Sequence, residues 1–125
     1  MILAVVEDLI FQSKIDSAAR AAGALVKTVG PGEVLKGLEG TPVVAVLIDL
    51  NHRSGAALDT IRASKQSPAA ASTRIIGYLS HMQAELAAAA LAAGCDQVMA
   101  RSAFVQQLPQ ILRACSEPKA HEASK

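Results

Sequence analysis

Apolar residues in this chain come in two rhythms, and their alternation sets out the architecture. Ile2-Leu3-Ala4-Val5-Val6 and Val43-Val44-Ala45-Val46-Leu47-Ile48 are short unbroken apolar runs, the habit of strands buried on both faces of a parallel sheet. A weaker strand run lies at Ala24 to Val29, and a fourth and a fifth strand at Thr73 to Leu79 and within Cys95 to Ala100. Between them the period changes to that of helices. Phe11, Ile15, Ala18 and Ala22 share one helical face before Gly23, and Pro31 opens a short helix carrying Val34, Leu35 and Leu38. Further helices are expected from about Gly55 to Lys65, from Ala84 to Ala93, and from about Ser102 through Leu112. Pro109 falls inside the last pattern and predicts a late start or a kink there.

Five strand-then-helix units imply a single α/β domain, a doubly wound (βα)5 flavodoxin-like fold with a five-stranded parallel sheet in the order 2-1-3-4-5. The domain is expected over residues 1–115, followed by a polar tail over 116–125. The core must be built from Ala, Val, Leu and Ile, because aromatic residues reduce to Phe11, Tyr78 and Phe104.

Charge and cysteine usage remove several classes of function. A formal net charge of +1 with scattered Lys and Arg gives no clustered basic face for nucleic acid. No apolar run approaches the ~20 residues of a membrane span, and the Met1 to Val6 run meets Glu7 and Asp8 too early for a signal-peptide core. Cys95 and Cys115 lack metal-ligand spacing and read as small hydrophobes in a reducing compartment, so a cytoplasmic location is expected.

The chemistry gathers at the strand ends. In the order 2-1-3-4-5 the switch point lies between the first and third strands, which end in Glu7-Asp8 and Asp49. Ser80 and Arg101 end the fourth and fifth strands on the same rim. Three carboxylates at ~4 Å would repel by about 4 kcal/mol per pair at an effective dielectric near 20. Such a cluster must protonate, splay or hold a cation, and an all-oxygen shell suits Mg²⁺. An Asp beside Mg²⁺ can attack a phosphoryl donor, with Ser80 and Arg101 receiving the phosphoryl oxygens. The plainer readings are a turn residue for Ser80, a solvated charge for Arg101 and a loop acid for Glu7. His52 lacks the spacing of a cobalamin-type loop, Gly30-Pro31-Gly32 lacks the Lys and Ser/Thr of a phosphate loop, and no nucleophile elbow is present.

Leu3-Ala4-Val5-Val6-Glu7-Asp8, Leu47-Ile48-Asp49-Leu50-Asn51, Leu79-Ser80 and Ala92-Ala93-Gly94-Cys95-Asp96, in this order and spacing, resemble the receiver domains of bacterial response regulators from Ile2 to about Cys115. The resemblance implies that Asp49 accepts phosphate from a histidine kinase or phosphotransfer protein and that Ser80 senses it. It implies that Glu7, Asp8, Asp49 and the backbone carbonyl of Asn51 hold Mg²⁺. It further implies a stand-alone signalling domain of a two-component phosphorelay, not an enzyme, that docks a downstream partner or a second copy through its fourth helix, fifth strand and fifth helix. Ala87 to Ala93 offers a small-residue surface there.

The chain departs from the family pattern at four places. Arg101-Ser102 stands where Lys-Pro is usual, and Arg and Lys are not interchangeable. The turn after Asp49 is short and lacks Met-Pro, and the loop after Ser80 is one residue short. Val98 takes the place of the switching aromatic ring. These departures set a second reading beside the first, a degenerate pseudo-receiver that binds its partner regardless of phosphate. An enzyme of the same fold with an unrelated small ligand is the third.

Overall fold

The computed structural model describes residues 1–80 and 83–116. Five parallel strands form one sheet in the order β2-β1-β3-β4-β5: β1 (Ile2–Val5), β2 (Val26–Thr28), β3 (Ala45–Asp49), β4 (Arg74–Leu79) and β5 (Gln97–Ala100). The connecting helices are α1 (Leu9–Ala22), α2 (Val34–Gly40), α3 (Ala57–Gln66), α4 (Ala84–Ala93) and α5 (Arg101–Ser116). Single 3-10 turns precede α2 at Pro31–Glu33 and follow α3 at Pro68–Ala70. The predicted doubly wound fold and strand order are the ones observed.

The unbroken apolar runs have the expected cause. Alternate residues of β1 and β3 serve opposite layers. Ile2, Ala4, Ala45 and Leu47 pack with Phe11, Ile15, Phe104, Leu108 and Leu112, beneath α1 and α5. Leu3, Val5, Val46 and Ile48 pack with Val34, Leu38, Ile61 and Ala90, beneath α2, α3 and α4. A polar residue on either face of a central strand would be buried without a partner. All three aromatic rings lie in the first layer. Tyr78 stacks on Phe104 with ring centroids 4.8 Å apart, and Phe11 lies 4.9 Å from Tyr78.

Several boundaries differ from the apolar pattern. Burial extends beyond pairing: Val6 and Val43 are buried but lie past the ends of their strands. The runs at Ala24 to Val29 and Cys95 to Ala100 shrink likewise, to Val26–Thr28 and Gln97–Ala100. α1 begins at Leu9, before Phe11, because Asp8 caps it: Oδ1 accepts from the Ile10 N–H at 2.8 Å and the Phe11 N–H at 3.4 Å. α5 begins at Arg101 directly after Ala100, with no cap from Ser102 and no late start. Pro109 sits inside α5 on its exposed side. Buried Phe104, Leu108, Ile111 and Leu112 hold the helix to the sheet on either side of it. The polar tail expected over 116–125 lies, beyond Ser116, outside the described residues.

Candidate functional site

Strands β1 and β3 are neighbours in the sheet, but α1 and α3 leave them toward opposite faces. The loops at their carboxyl ends therefore part and open a crevice. Glu7, Asp8, Asp49, Asn51, Arg53, Ser80 and Arg101 line this cleft, whose volume is about 570 Å³. Every residue assigned to the site from sequence reaches it. Arg53 is the addition.

The acids do not form the crowded triad that the spacing suggested. Glu7 is held twice by Arg53: its Oε1 accepts the Arg53 backbone N–H at 2.7 Å, and its Oε2 pairs with Arg53 Nε at 2.7 Å. Asp8 splits its oxygens, with Oδ1 capping α1 and Oδ2 accepting from Arg101 Nη2 at 2.9 Å. That bond and the Ile10 N–H hold the Asp8 carboxyl below its ordinary value. Repulsion is thus relieved by two arginines, a solution beyond the three expected.

Asp49 stands apart in character. Its backbone pairs in register with Tyr78, and the carboxyl is half-buried. Burial raises its pKa and Glu7 adds to the rise, while the N–H of Asn51 and the neighbouring His52 and Arg101 pull the other way. The Asn51 N–H reaches Asp49 Oδ1 at 2.8 Å, an Asx-type turn that starts the loop. Gly55 ends that loop at φ 73°, a left-handed conformation suited to glycine. His52 is engaged with Ser54, its Nδ1 lying 2.9 Å from Ser54 Oγ.

Asn51 is engaged through its side chain as well as its backbone N–H. Its side-chain oxygen accepts the Ser80 N–H at 2.7 Å, and its amide nitrogen donates to Gln83 Oε1 at 2.9 Å. One residue thus links the Asp49 turn to the end of β4 and to the first turn of α4, where Gln83 is the N-cap. Ser80 is exposed at the cleft wall, so its hydroxyl stands where a bound oxyanion could meet it.

Arg101 completes the cleft from the start of α5, with its guanidinium carbon 4.2 Å from the Phe11 ring centroid. Val98 is partly buried and packs in the layer beneath α4. Tyr78, whose backbone pairs in register with Asp49, is fixed in the aromatic stack, and its phenol is pushed far above the usual range chiefly by burial, then by Asp49.

The oxygen donors have the right chemistry for a hard cation, but their arrangement does not fit one as it stands. Both oxygens of Glu7 and both of Asp8 already have partners. Among the described residues no group of three or more His, Cys, Asp or Glu side chains is arranged to hold a metal ion.

Sequence reasoning passed over Arg53, Gln83 and the seat of Arg101 on Phe11. One signal for Arg53 was available: it is the only Lys or Arg between Asp49 and Arg62, in a turn that must return over the rim.

Comparison with solved structures identifies the fold. No protein-family profile and no curated protein matches the sequence. Solved structures do, among them several response regulators. One from Hahella chejuensis superposes with a TM-score of 0.82 at 14% identity, covering 94% of this chain and 95% of that one. A chemotaxis response regulator of Vibrio cholerae gives 0.78 at 16% identity, covering 91% and 96%. A response regulator from Burkholderia pseudomallei, solved with a phosphorylated aspartic acid, a calcium ion and citrate, gives 0.72 at 21% identity, covering 98% and 72%. The chain therefore has the CheY-like receiver fold of the response regulators. At these identities the likeness is one of fold, and activity has to be argued from the cleft itself. Among the described residues, no helix is long and apolar enough to cross a membrane.

Proposed function

We propose that this chain is a receiver-like signalling domain in which Asp49 accepts a phosphoryl group from a histidine kinase or a phosphotransfer protein. The observation that carries the reading is the convergence of Asp49, Ser80 and Arg101 on one open cleft at the switch point of a receiver fold. A carboxylate oxygen of Asp49 attacks phosphorus as the donor's P–N bond breaks. Arg101 offsets charge on the transferring group, and the Ser80 hydroxyl donates to one of its oxygens. The new group brings nearly two negative charges to the Asn51 turn, which is tied to α4 through Gln83. That link gives the phosphoryl charge a route to a docking face built from α4, β5 and α5. Magnesium is the cofactor this reading carries with it, and Glu7 and Asp8 would have to release their arginines to become its ligands.

A second reading is favoured by those ion pairs. With Glu7 and Asp8 already neutralised from within, the domain suits a phosphate-independent interaction module. A small phosphodonor such as phosphoramidate, followed by intact mass, separates the two. The phosphoacceptor reading expects one phosphoryl increment on the wild type and none on Asp49→Asn. It also expects amide shifts at Asn51, Ser80 and Gln83 with beryllium fluoride and Mg²⁺. No increment and no shift would establish the interaction module.

A further inference from the structure

Glu7 is the acid whose two oxygens are both taken by a single residue. The backbone N–H of Arg53 holds Oε1 and its Nε holds Oε2, each at 2.7 Å, across 46 positions of sequence. The loop from Asn51 to Gly55 is what brings it there, turning back at Gly55 with φ 73°. A guanidinium brings a planar set of N–H donors and a positive charge to the carboxylate. The Arg53 side chain is 89% exposed, so the fork can open without disturbing the core, while the backbone donor stays in place. Arg101 pairs with Asp8 through a single contact, Nη2 to Oδ2. Three carboxylates against two guanidinium groups leave the cleft with a single uncompensated negative charge, and it falls to Asp49 because Arg53 pairs with Glu7 and Arg101 with Asp8.

We propose that Arg53 is a built-in counter-ion at this pocket, supplying positive charge to Glu7 and competing with divalent cations for that carboxylate. The inference concerns the cleft of the proposed function but does not rest on Asp49 being phosphorylated. Two effects oppose a divalent ion in the wild type. It must displace the guanidinium from Glu7, and it must sit beside a fixed positive charge. Replacing Arg53 removes both and leaves the pocket one unit more negative. An exposed ion pair of this kind is worth up to about 1 kcal/mol, or roughly five-fold in binding. Salt narrows the difference, since an exposed pair is screened within about 10 Å at 0.1 M.

The test is a titration of the folded chain with Mg²⁺, and with Mn²⁺ as a line-broadening probe. It follows the amide signals of Glu7, Asp8 and Asp49 at constant ionic strength. Wild type is compared with Arg53→Gln, Arg53→Lys and the double variant Glu7→Gln/Arg53→Gln. Arg53→Gln is expected to bind Mg²⁺ about five-fold more tightly than wild type. Arg53→Lys should stay near wild type, and the double variant should lose the gain because the contested carboxylate is gone. Equal affinities for wild type and Arg53→Gln, tighter binding by wild type, or no binding by either would overturn the proposal. An unchanged amide pattern away from the loop shows that the variant is folded. A chain that fails to take up phosphate but passes this titration loses the phosphoacceptor reading alone.

Discussion

Arg101 lies over the Phe11 ring, with its guanidinium carbon 4.2 Å from the ring centroid, while the same side chain reaches Asp8 at 2.9 Å. This geometry gives an arginine at the start of α5 two simultaneous contacts. A planar guanidinium stacks on a ring and still offers an edge to a carboxylate, which an ammonium cannot do equally well. The arginine is thereby fixed at the cleft by the first turn of α1. Cation–π contacts at such sites are worth about 0.5–1 kcal/mol. In urea unfolding, a double-mutant cycle of Arg101→Gln with Phe11→Leu is expected to show coupling of about that size. Independent, additive losses would mean that the stacking contributes nothing.

Asp49 and Asp8 are expected to respond to pH in opposite senses. Burial raises the Asp49 pKa above its ordinary 3.8. Above 3.8, the folded chain therefore holds this proton more tightly than the unfolded chain, and stability from this group falls as pH rises through that window. Asp49→Asn should raise Tm at neutral pH, and the gain should vanish below pH 3.8. Asp8 is lowered from 3.8, so its contribution is present above that value and is lost as pH falls through its native value. Asp8→Asn should accordingly lower Tm at neutral pH and not in strong acid. Melting curves across pH 2–8, or about that span, check both signs; parallel displacement of either variant at every pH would contradict them.

Much of this arrangement can be read from the sequence for a definite physical reason. Central strands of a parallel sheet must be apolar on both faces, so Ile2 to Val5 and Ala45 to Ile48 announce themselves. Glu7, Asp8 and Asp49 then fall at the switch point because chain order alone puts them there. The arginine pairing is different in kind. Whether Arg53 meets Glu7 depends on the path of a five-residue turn, and neither residue type nor period encodes that path. Ser102 looks like a cap by composition, yet α5 starts at Arg101 because the strand feeds straight into the helix. Pro109 is awkward by propensity alone, but the buried residues that flank it outweigh that local preference.

Removal of the Asn51 side chain should loosen the rim without unfolding the sheet. Asn51→Ala leaves the Ser80 N–H and the Gln83 amide without their partner. The expected cost is about 1–2 kcal/mol. Hydrogen exchange of the Ser80 amide should accelerate while that of Leu47 and Ile76 follows only the global change. Unchanged Ser80 protection would show that Asn51 does not hold this loop.

Gly55 is the point at which the loop after Asp49 turns back. Its φ of 73° penalises any residue with a Cβ, although open space surrounds it. Gly55→Ala is expected to cost about 1–2 kcal/mol in denaturant unfolding, with Gly55→Asn costing less. Equal costs for the two would point to contacts rather than backbone conformation.

The polar ties across the cleft join positions 29, 32, 46 and 93 apart in the chain. None of them can form inside a nascent strand–helix unit, because each requires the closure of a long loop first. The longest, Asp8 to Arg101, needs both α1 and α5 in place on the same face of the sheet. The rim is therefore a late product of assembly. During synthesis its longest tie stays unmade until β5 has emerged and α5 has begun, so a chain interrupted before Arg101 would carry Asp8 without its guanidinium partner. Recognition that reads the finished rim would thereby pass over immature chains.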